Sequence, residues 1–108
     1  MKSTITGWGK CAPDNIMTNE DLAVFVDTSD EWIQQRTGIE ERRFCHVNNS
    51  DMAAVAGQHA IACAGLTPED IDVVILATCT PDSIVPSAAA HVQKKLGAVN
   101  ASVYDINA

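Results

Sequence analysis

Apolar residues recur along the chain at two spacings, and the spacing changes at positions occupied by Pro, Gly or acidic residues. Apolar positions three and four apart over residues 52–63 predict the longest helix, with Asp51 as its N-cap and Gly65 beyond its end. Residues 71–79 are almost continuously apolar, which is typical of a strand buried on both faces of a parallel sheet. The middle of the chain therefore predicts a helix followed by a central strand.

Further elements flank this pair. Residues 3–8 predict a strand, because they are rich in β-branched residues and close on glycine. Residues 86–96 predict a helix that starts with Pro86 and stops at Gly97, and residues 102–106 predict a last strand. Strands that alternate with helices indicate an α/β fold, with right-handed crossovers and helices on both faces of the sheet.

Two short helices are predicted before the long one. The segments 18–21 and 28–31 both have the form of a capping box, with Thr at the cap and an acidic residue three positions later. The second helix is expected to begin after Thr28, to run to about Arg36 and to end at Gly38. Residues 39–45 are too charged for a central strand and are expected to be extended and exposed.

Charge and cysteine content narrow the classes of function. The 108 residues carry 14 Asp and Glu against 7 Lys and Arg, a formal charge of −7, which disfavours binding to nucleic acid. The four Cys have no zinc-type spacing, which fits a reducing, cytoplasmic compartment. Residues 1–9 lack the continuous apolar stretch that a secretory signal needs, so no export is expected, and no apolar run approaches the roughly 20 residues of a membrane span. We therefore expect one cytoplasmic domain with neither nucleic acid nor membrane as a partner.

The candidate chemistry lies mainly in the second short helix. Thr28, Trp32 and Arg36 follow each other at four-residue steps, so they share one stripe that suits a nucleotide: a hydroxyl, a stacking ring and a guanidinium. The spacing alone favours simple packing of Trp32 under the Arg36 stem, with Thr28 as a cap. Among possible nucleophiles Cys79 is the best placed, although a small buried thiol is its commoner role. The three His have no metal-type spacing, and no glycine-rich phosphate motif is present.

The segment 26–42, VDTSDEWIQQRTGIEER, resembles the N-terminal signature of the β-ketoacyl-acyl carrier protein synthase III family. The resemblance continues through LTPEDID at 66–72, the strand ending Ala77-Thr78, Pro-Ser-Ala at 86–88, Gly97 and DINA at 105–108. It covers essentially the whole chain. It implies an acyltransferase that condenses an acyl-CoA primer with malonyl-acyl carrier protein to initiate fatty acid biosynthesis.

The resemblance also implies the architecture. The fold is expected to be thiolase-like, with five layers (αβαβα) built from two similar halves, and residues 1–108 are expected to form the N-terminal part of the first half. In the family the catalytic Cys follows a few residues after the last motif, and the partner His and Asn belong to the second half. No catalytic residue is therefore expected within this chain, and the chain alone is expected to be inactive.

The resemblance assigns binding roles to four residues. Trp32 would stack on the adenine of coenzyme A, Arg36 would meet a phosphate, and Thr28 would hydrogen-bond nearby. Val85 would wall the acyl pocket of the partner subunit across a homodimer. Neither a metal nor a cofactor is implied, since acyl-CoA is a substrate.

Some alternatives stay open. Val85 leaves more room than a bulkier residue, so the primer could be longer or branched, or the protein could be a related condensing enzyme of secondary metabolism. A non-catalytic module that binds coenzyme A or another protein is the alternative from a different class. Arg36, Arg42 and Arg43 offer a small basic cluster at the edge of a landing site for the acidic acyl carrier protein.

Overall fold

The computed structural model describes residues 2–107, which form two compact units. One unit is residues 12–46, and the other combines the described residues before and after them. Among the residues described, no helix combines the length and apolarity that a membrane crossing needs.

The smaller unit contains two strands and two short helices. Strand β1 (Asn15–Thr18) is followed by helices α1 (Asn19–Ala23) and α2 (Asp30–Thr37) and by strand β2 (Glu41–Phe44). The two strands pair antiparallel, with Thr18 opposite Glu41. The expected extended segment 39–45 is thus confirmed, while its partner β1 was not predicted, because strand pairing depends on residues far apart in sequence.

The helix boundaries in this unit confirm one predicted cap and correct another. Thr18 forms the predicted capping box with Asp21, whose backbone N–H donates to the Thr18 hydroxyl at 3.1 Å. The N-cap of α2 is Ser29 rather than Thr28, since Ser29 Oγ accepts from the Trp32 backbone N–H at 3.2 Å. The predicted end of α2 is confirmed, because Gly38 is left-handed with φ 71°.

The larger unit contains the longest helix and a parallel strand pair. Its elements in chain order are α3 (Asn49–Ala64), a 3₁₀ turn (Pro68–Asp70), β3 (Val73–Ala77), α4 (Ala88–Leu96) and β4 (Ser102–Ile106). Strands β3 and β4 are parallel, with Val73 opposite Ser102, and α4 packs on both strands and on α3. The predicted alternation of helix and parallel strand is confirmed, and β4 has the predicted bounds.

Expectations about α3, α4 and the sheet that contains β3 need correction. The N-cap of α3 is Asn48, and Asp51 instead accepts from the Asn48 backbone N–H at 3.2 Å. Helix α4 is capped by Ser87, so Pro86 precedes the helix. Alternate residues of β3 are exposed, Ile75 at 59%, so the strand is covered on one face only within the described chain. The expected helices on both faces of the sheet are accordingly not observed there.

Residues 3–8 do not form the predicted strand. They have no ladder partner among residues 2–107, and the segment instead runs directly against α3. A Cβ on Gly7 would lie 2.3 Å from the Ala60 carbonyl oxygen, and a Cβ on Gly9 would lie 2.2 Å from that of Ala56. The two glycines therefore permit an approach of backbone to helix that any side chain would block.

Candidate functional site: the exposed face of α2

Helix α2 presents an aromatic ring and a guanidinium on its outward face. Ile33 is buried at 7% exposure and fixes the inward side, whereas Trp32 is 56% exposed. The Arg36 guanidinium carbon lies 5.6 Å from the centroid of the Trp32 ring, in cation–π geometry. Trp32 is therefore not a core residue of this unit, and its ring is available to a ligand.

A cavity of about 330 Å³ opens beside Trp32. It is lined by Asp27, Thr28, Ser29 and Trp32. Because Ser29 performs the capping, the Thr28 hydroxyl is not required by the helix. The structure thus brings Thr28 and Trp32 together at one cavity, and Arg36 stands one turn further along α2.

The orientation of α2 depends on Asn19, which is fully buried. Asn19 Nδ2 donates to Asp30 Oδ1 and to the Ile39 carbonyl, both at 2.7 Å, and Asn19 Oδ1 accepts from Arg42 Nη2 at 2.7 Å. Hydrogen bonds from Gln34 and then Asn19 hold the pKa of Asp30 below its usual range. The role of Asn19 is not predictable from the sequence, because its partners lie 11 to 23 residues away and leave no local pattern.

The three arginines proposed as a basic cluster have different neighbours. Besides Asn19, Arg42 donates to the Thr18 carbonyl at 3.1 Å, so its guanidinium is held within the unit. Arg43 donates to the Pro13 carbonyl at 3.2 Å and lies 3.9 Å from a Glu41 carboxylate oxygen. Of the three side chains, that of Arg36 is the one that lies beside the cavity-lining Trp32.

Val85 lies in the larger unit, in the loop of residues 78–87 between β3 and α4. Ile84 and Val85 are 89% and 85% exposed. The Val85–Pro86 peptide bond is cis. The residue expected to reach a partner subunit is thus at the outermost part of a loop, where a partner could contact it.

The remaining candidate nucleophiles and metal ligands are not assembled into a site. Cys79 is exposed, so the expectation of a buried thiol is wrong for the described chain. Within residues 2–107, no group of three or more His, Cys, Asp or Glu lies close enough together to hold a metal ion.

A second polar cluster was missed by the sequence analysis. The fully buried Ser50 donates to Asp82 and accepts from Lys95, which also forms an ion pair with Asp51 at 2.6 Å. Residues 82 and 95 lie 32 and 45 positions after Ser50. Such separations produce no short sequence motif.

Known proteins are similar to this chain in sequence and in structure. No family model matches the chain. A β-ketoacyl-acyl carrier protein synthase III 2 of Vibrio cholerae is 61% identical over 104 residues, which is 96% of this chain and 29% of that protein. A crystal structure of 3-oxoacyl-acyl carrier protein synthase III from Aquifex aeolicus has a TM-score of 0.89 at 45% identity, covering 99% of this chain and 35% of that one. The chain is similar over nearly its whole length to β-ketoacyl-acyl carrier protein synthases III.

The same β-ketoacyl-acyl carrier protein synthase III fold occurs in a second kind of enzyme. The priming β-ketosynthase of the R1128 polyketide pathway has a TM-score of 0.84 at 31% identity, covering 96% of this chain and 32% of that one. The chain thus spans about a third of the length of these relatives. The predicted thiolase-like α/β fold is confirmed, with this chain as one part of it.

Proposed function

We propose that the protein carrying this chain is a β-ketoacyl-acyl carrier protein synthase III that condenses an acyl-CoA primer with malonyl-acyl carrier protein. The supporting observation is the exposed Trp32 beside the Thr28 cavity, with the Arg36 guanidinium 5.6 Å from the ring centroid. As the family resemblance implies, we place the catalytic Cys, His and Asn outside residues 1–108. This chain's contribution is therefore substrate recognition, and the chain alone is inactive.

The charges around the cavity suggest how coenzyme A is oriented. Adenine stacks on Trp32, since every base has a π-face that an exposed indole ring can cover. Asp27, on the N-terminal side of Trp32, repels phosphate, while Arg36 on the C-terminal side attracts it with forked donors. The Thr28 hydroxyl then hydrogen-bonds to a polar edge of the nucleotide.

Calorimetric titration of the full-length protein with coenzyme A tests these roles. We expect W32A to weaken binding by about 5- to 150-fold, because base–aromatic stacking contributes about 1–3 kcal/mol. R36A is expected to weaken binding by about 10-fold or more through the loss of a charge-assisted hydrogen bond. Q35A is the matched control, because Gln35 lies on the same helix and bonds only to Glu31 among the described contacts. Equal affinities for W32A and Q35A would refute the assignment.

The assembly and the location of the protein follow from the same proposal. We assign it to the cytoplasm as a homodimer in which Val85 walls the acyl pocket of the partner subunit, and its 85% exposure in the single chain supports that role. Val is small, which favours primers longer or more branched than acetyl. Substituting Val85→Phe should lower kcat/KM for such primers more than for acetyl-CoA.

A priming condensing enzyme of secondary metabolism is the second candidate, favoured by the similarity to the R1128 priming β-ketosynthase. Acyl transfer from a panel of acyl-CoA primers to the full-length protein, followed by identification of the condensed product, separates the two. Binding of coenzyme A without any acyl transfer would instead indicate a non-catalytic module.

A further inference from the structure

The loop of residues 78–87 holds two apolar side chains in an outward position. Ile84 and Val85 are nearly fully exposed, and the loop contains no helix or strand. An apolar loop without anchors lowers its free energy by collapsing onto the protein surface. Ile84 and Val85 form the tip of this loop. The contacts that flank them therefore determine the position of the tip.

The first half of the loop is anchored to the first turn of α3. Both Asp82 carboxylate oxygens accept from Ser50, one from its backbone N–H at 3.0 Å and the other from its hydroxyl. The neighbouring Asn49 Nδ2 donates to Thr78 Oγ1 at 2.7 Å and to the Thr80 carbonyl at 3.4 Å. Two successive helix residues thus hold three residues of the loop.

Lys95 sets the direction of this hydrogen-bond chain. Its Nζ donates to Ser50 Oγ at 2.5 Å and to Asp51 Oδ1 at 2.6 Å. A lysine ammonium only donates and an ionised carboxylate only accepts, so the single hydroxyl proton of Ser50 must point to Asp82. Hydrogen bonding from Ser50 also holds the pKa of Asp82 below its usual range, which keeps the acceptor charged.

The second half of the loop is anchored to α4. Ser83 Oγ donates to the Pro86 carbonyl at 2.9 Å and lies 3.3 Å from His91 Nε2. Ser87 Oγ accepts from the Ala90 backbone N–H at 3.4 Å. The tip therefore stands between one anchor on α3 and another on α4.

We propose that Asp82 is a positioning residue that, through Ser50 and Lys95, sets where the Ile84–Val85 tip stands and thereby which acyl chains the enzyme prefers. The part that concerns acyl preference rests on the proposed function, in which Val85 walls the acyl pocket. The positioning part rests only on the contacts of this loop.

The test compares Asp82 with Asp70, because each carboxylate accepts hydrogen bonds from the backbone N–H and the hydroxyl of a single residue. Asp70 accepts from the Thr67 backbone N–H at 2.8 Å and from its hydroxyl at 2.9 Å, in the 3₁₀ turn of the same unit. In the full-length protein we expect D82A to lower the NMR order parameters of amides 83–85 from about 0.85 to below about 0.6, and D70A to leave them unchanged. S50A removes only the hydroxyl and gives a second, milder variant, while S50T keeps the hydroxyl and should retain the wild-type order parameters.

Acyl preference is measured in the same variants as the ratio of kcat/KM for a long or branched acyl-CoA to that for acetyl-CoA. We expect this ratio to change about threefold or more in D82A and S50A, and to stay at the wild-type value in D70A and S50T. Equal order parameters at amides 83–85 in D82A and D70A would overturn the positioning role.

Lower order parameters with an unchanged ratio would overturn the role in acyl preference. A wild-type protein that accepts no acyl-CoA would refute the proposed function and the acyl preference with it, and the order parameters would still decide the positioning.

Discussion

At the residue scale, the most consequential side chain that sequence reasoning missed is Asn19. Its amide nitrogen donates to the Asp30 carboxylate and to the Ile39 carbonyl, and its amide oxygen accepts from the Arg42 guanidinium. All these groups are part-buried, and a buried polar group without its partner costs about 1–3 kcal/mol. Asn19 therefore contributes to the position of α2 and of the site that α2 carries.

Substituting Asn19→Ala should lower the thermal stability of the full-length protein, since it leaves the Arg42 guanidinium short of a partner. The expected loss is about 2 kcal/mol in free energy of unfolding, seen as a lower Tm. Asn100→Ala is the control, because the Asn100 amide makes one exposed hydrogen bond, to the Glu69 carbonyl at 2.9 Å. If both variants melt at the same temperature, the Asn19 network does not stabilise the unit.

At the element scale, α2 illustrates what local sequence determines and what it does not. Gly38, Gly65 and Gly97 end their helices in the left-handed conformation, as predicted, because that preference belongs to glycine itself. The Trp32 and Arg36 stripe was likewise predictable from four-residue spacing. The choice between Thr28 and Ser29 as cap was not, since both are good capping residues and the larger fold decides where α2 begins.

Ser29, the observed cap, and Thr28, the predicted one, lead to different expected effects of substitution. Ser29→Ala should destabilise α2 by about 1 kcal/mol, because the Trp32 N–H loses its acceptor. Thr28→Ala should leave Tm unchanged and weaken coenzyme A binding, since Thr28 lines the cavity without capping. Circular dichroism melts and calorimetric titrations of both variants provide the check, and a Tm loss in T28A equal to that in S29A would contradict the assignment.

At the scale of the whole molecule, the features that escaped prediction are those made between distant parts of the chain. The strand expected at residues 3–8 has no ladder partner among the described residues, and the contact of Ser50 with Asp82 crosses 32 positions. Ile75 and Tyr104 are 59% and 57% exposed on the parallel sheet, although the apolar pattern of β3 indicated burial on both faces. The apolar pattern of β3 indicates burial on both faces, whereas residues 2–107 cover only one face of this strand.

Acid stability is a property of the whole molecule, because hydrogen bonds lower the pKa of five carboxyl groups. They are Asp21, Asp30, Asp51, Asp70 and Asp82. A folded pKa below the unfolded value of about 3.9 means that the unfolded state takes up protons first as the pH falls. The stability these groups contribute is therefore fully present above pH 4 to 5 and is lost as the pH falls through their folded pKa values.

We accordingly expect the Tm of the full-length protein to fall between pH 5 and pH 3 and to change little between pH 5 and pH 7. Each group is largely solvated, so the loss is a sum of small contributions rather than the effect of one residue. A variant that combines D21N, D51N and D82N should be less stable at pH 7 and should lose less on acidification, because three of the titrating groups are gone. An equally steep loss in wild type and variant would show that other parts of the protein control its acid stability.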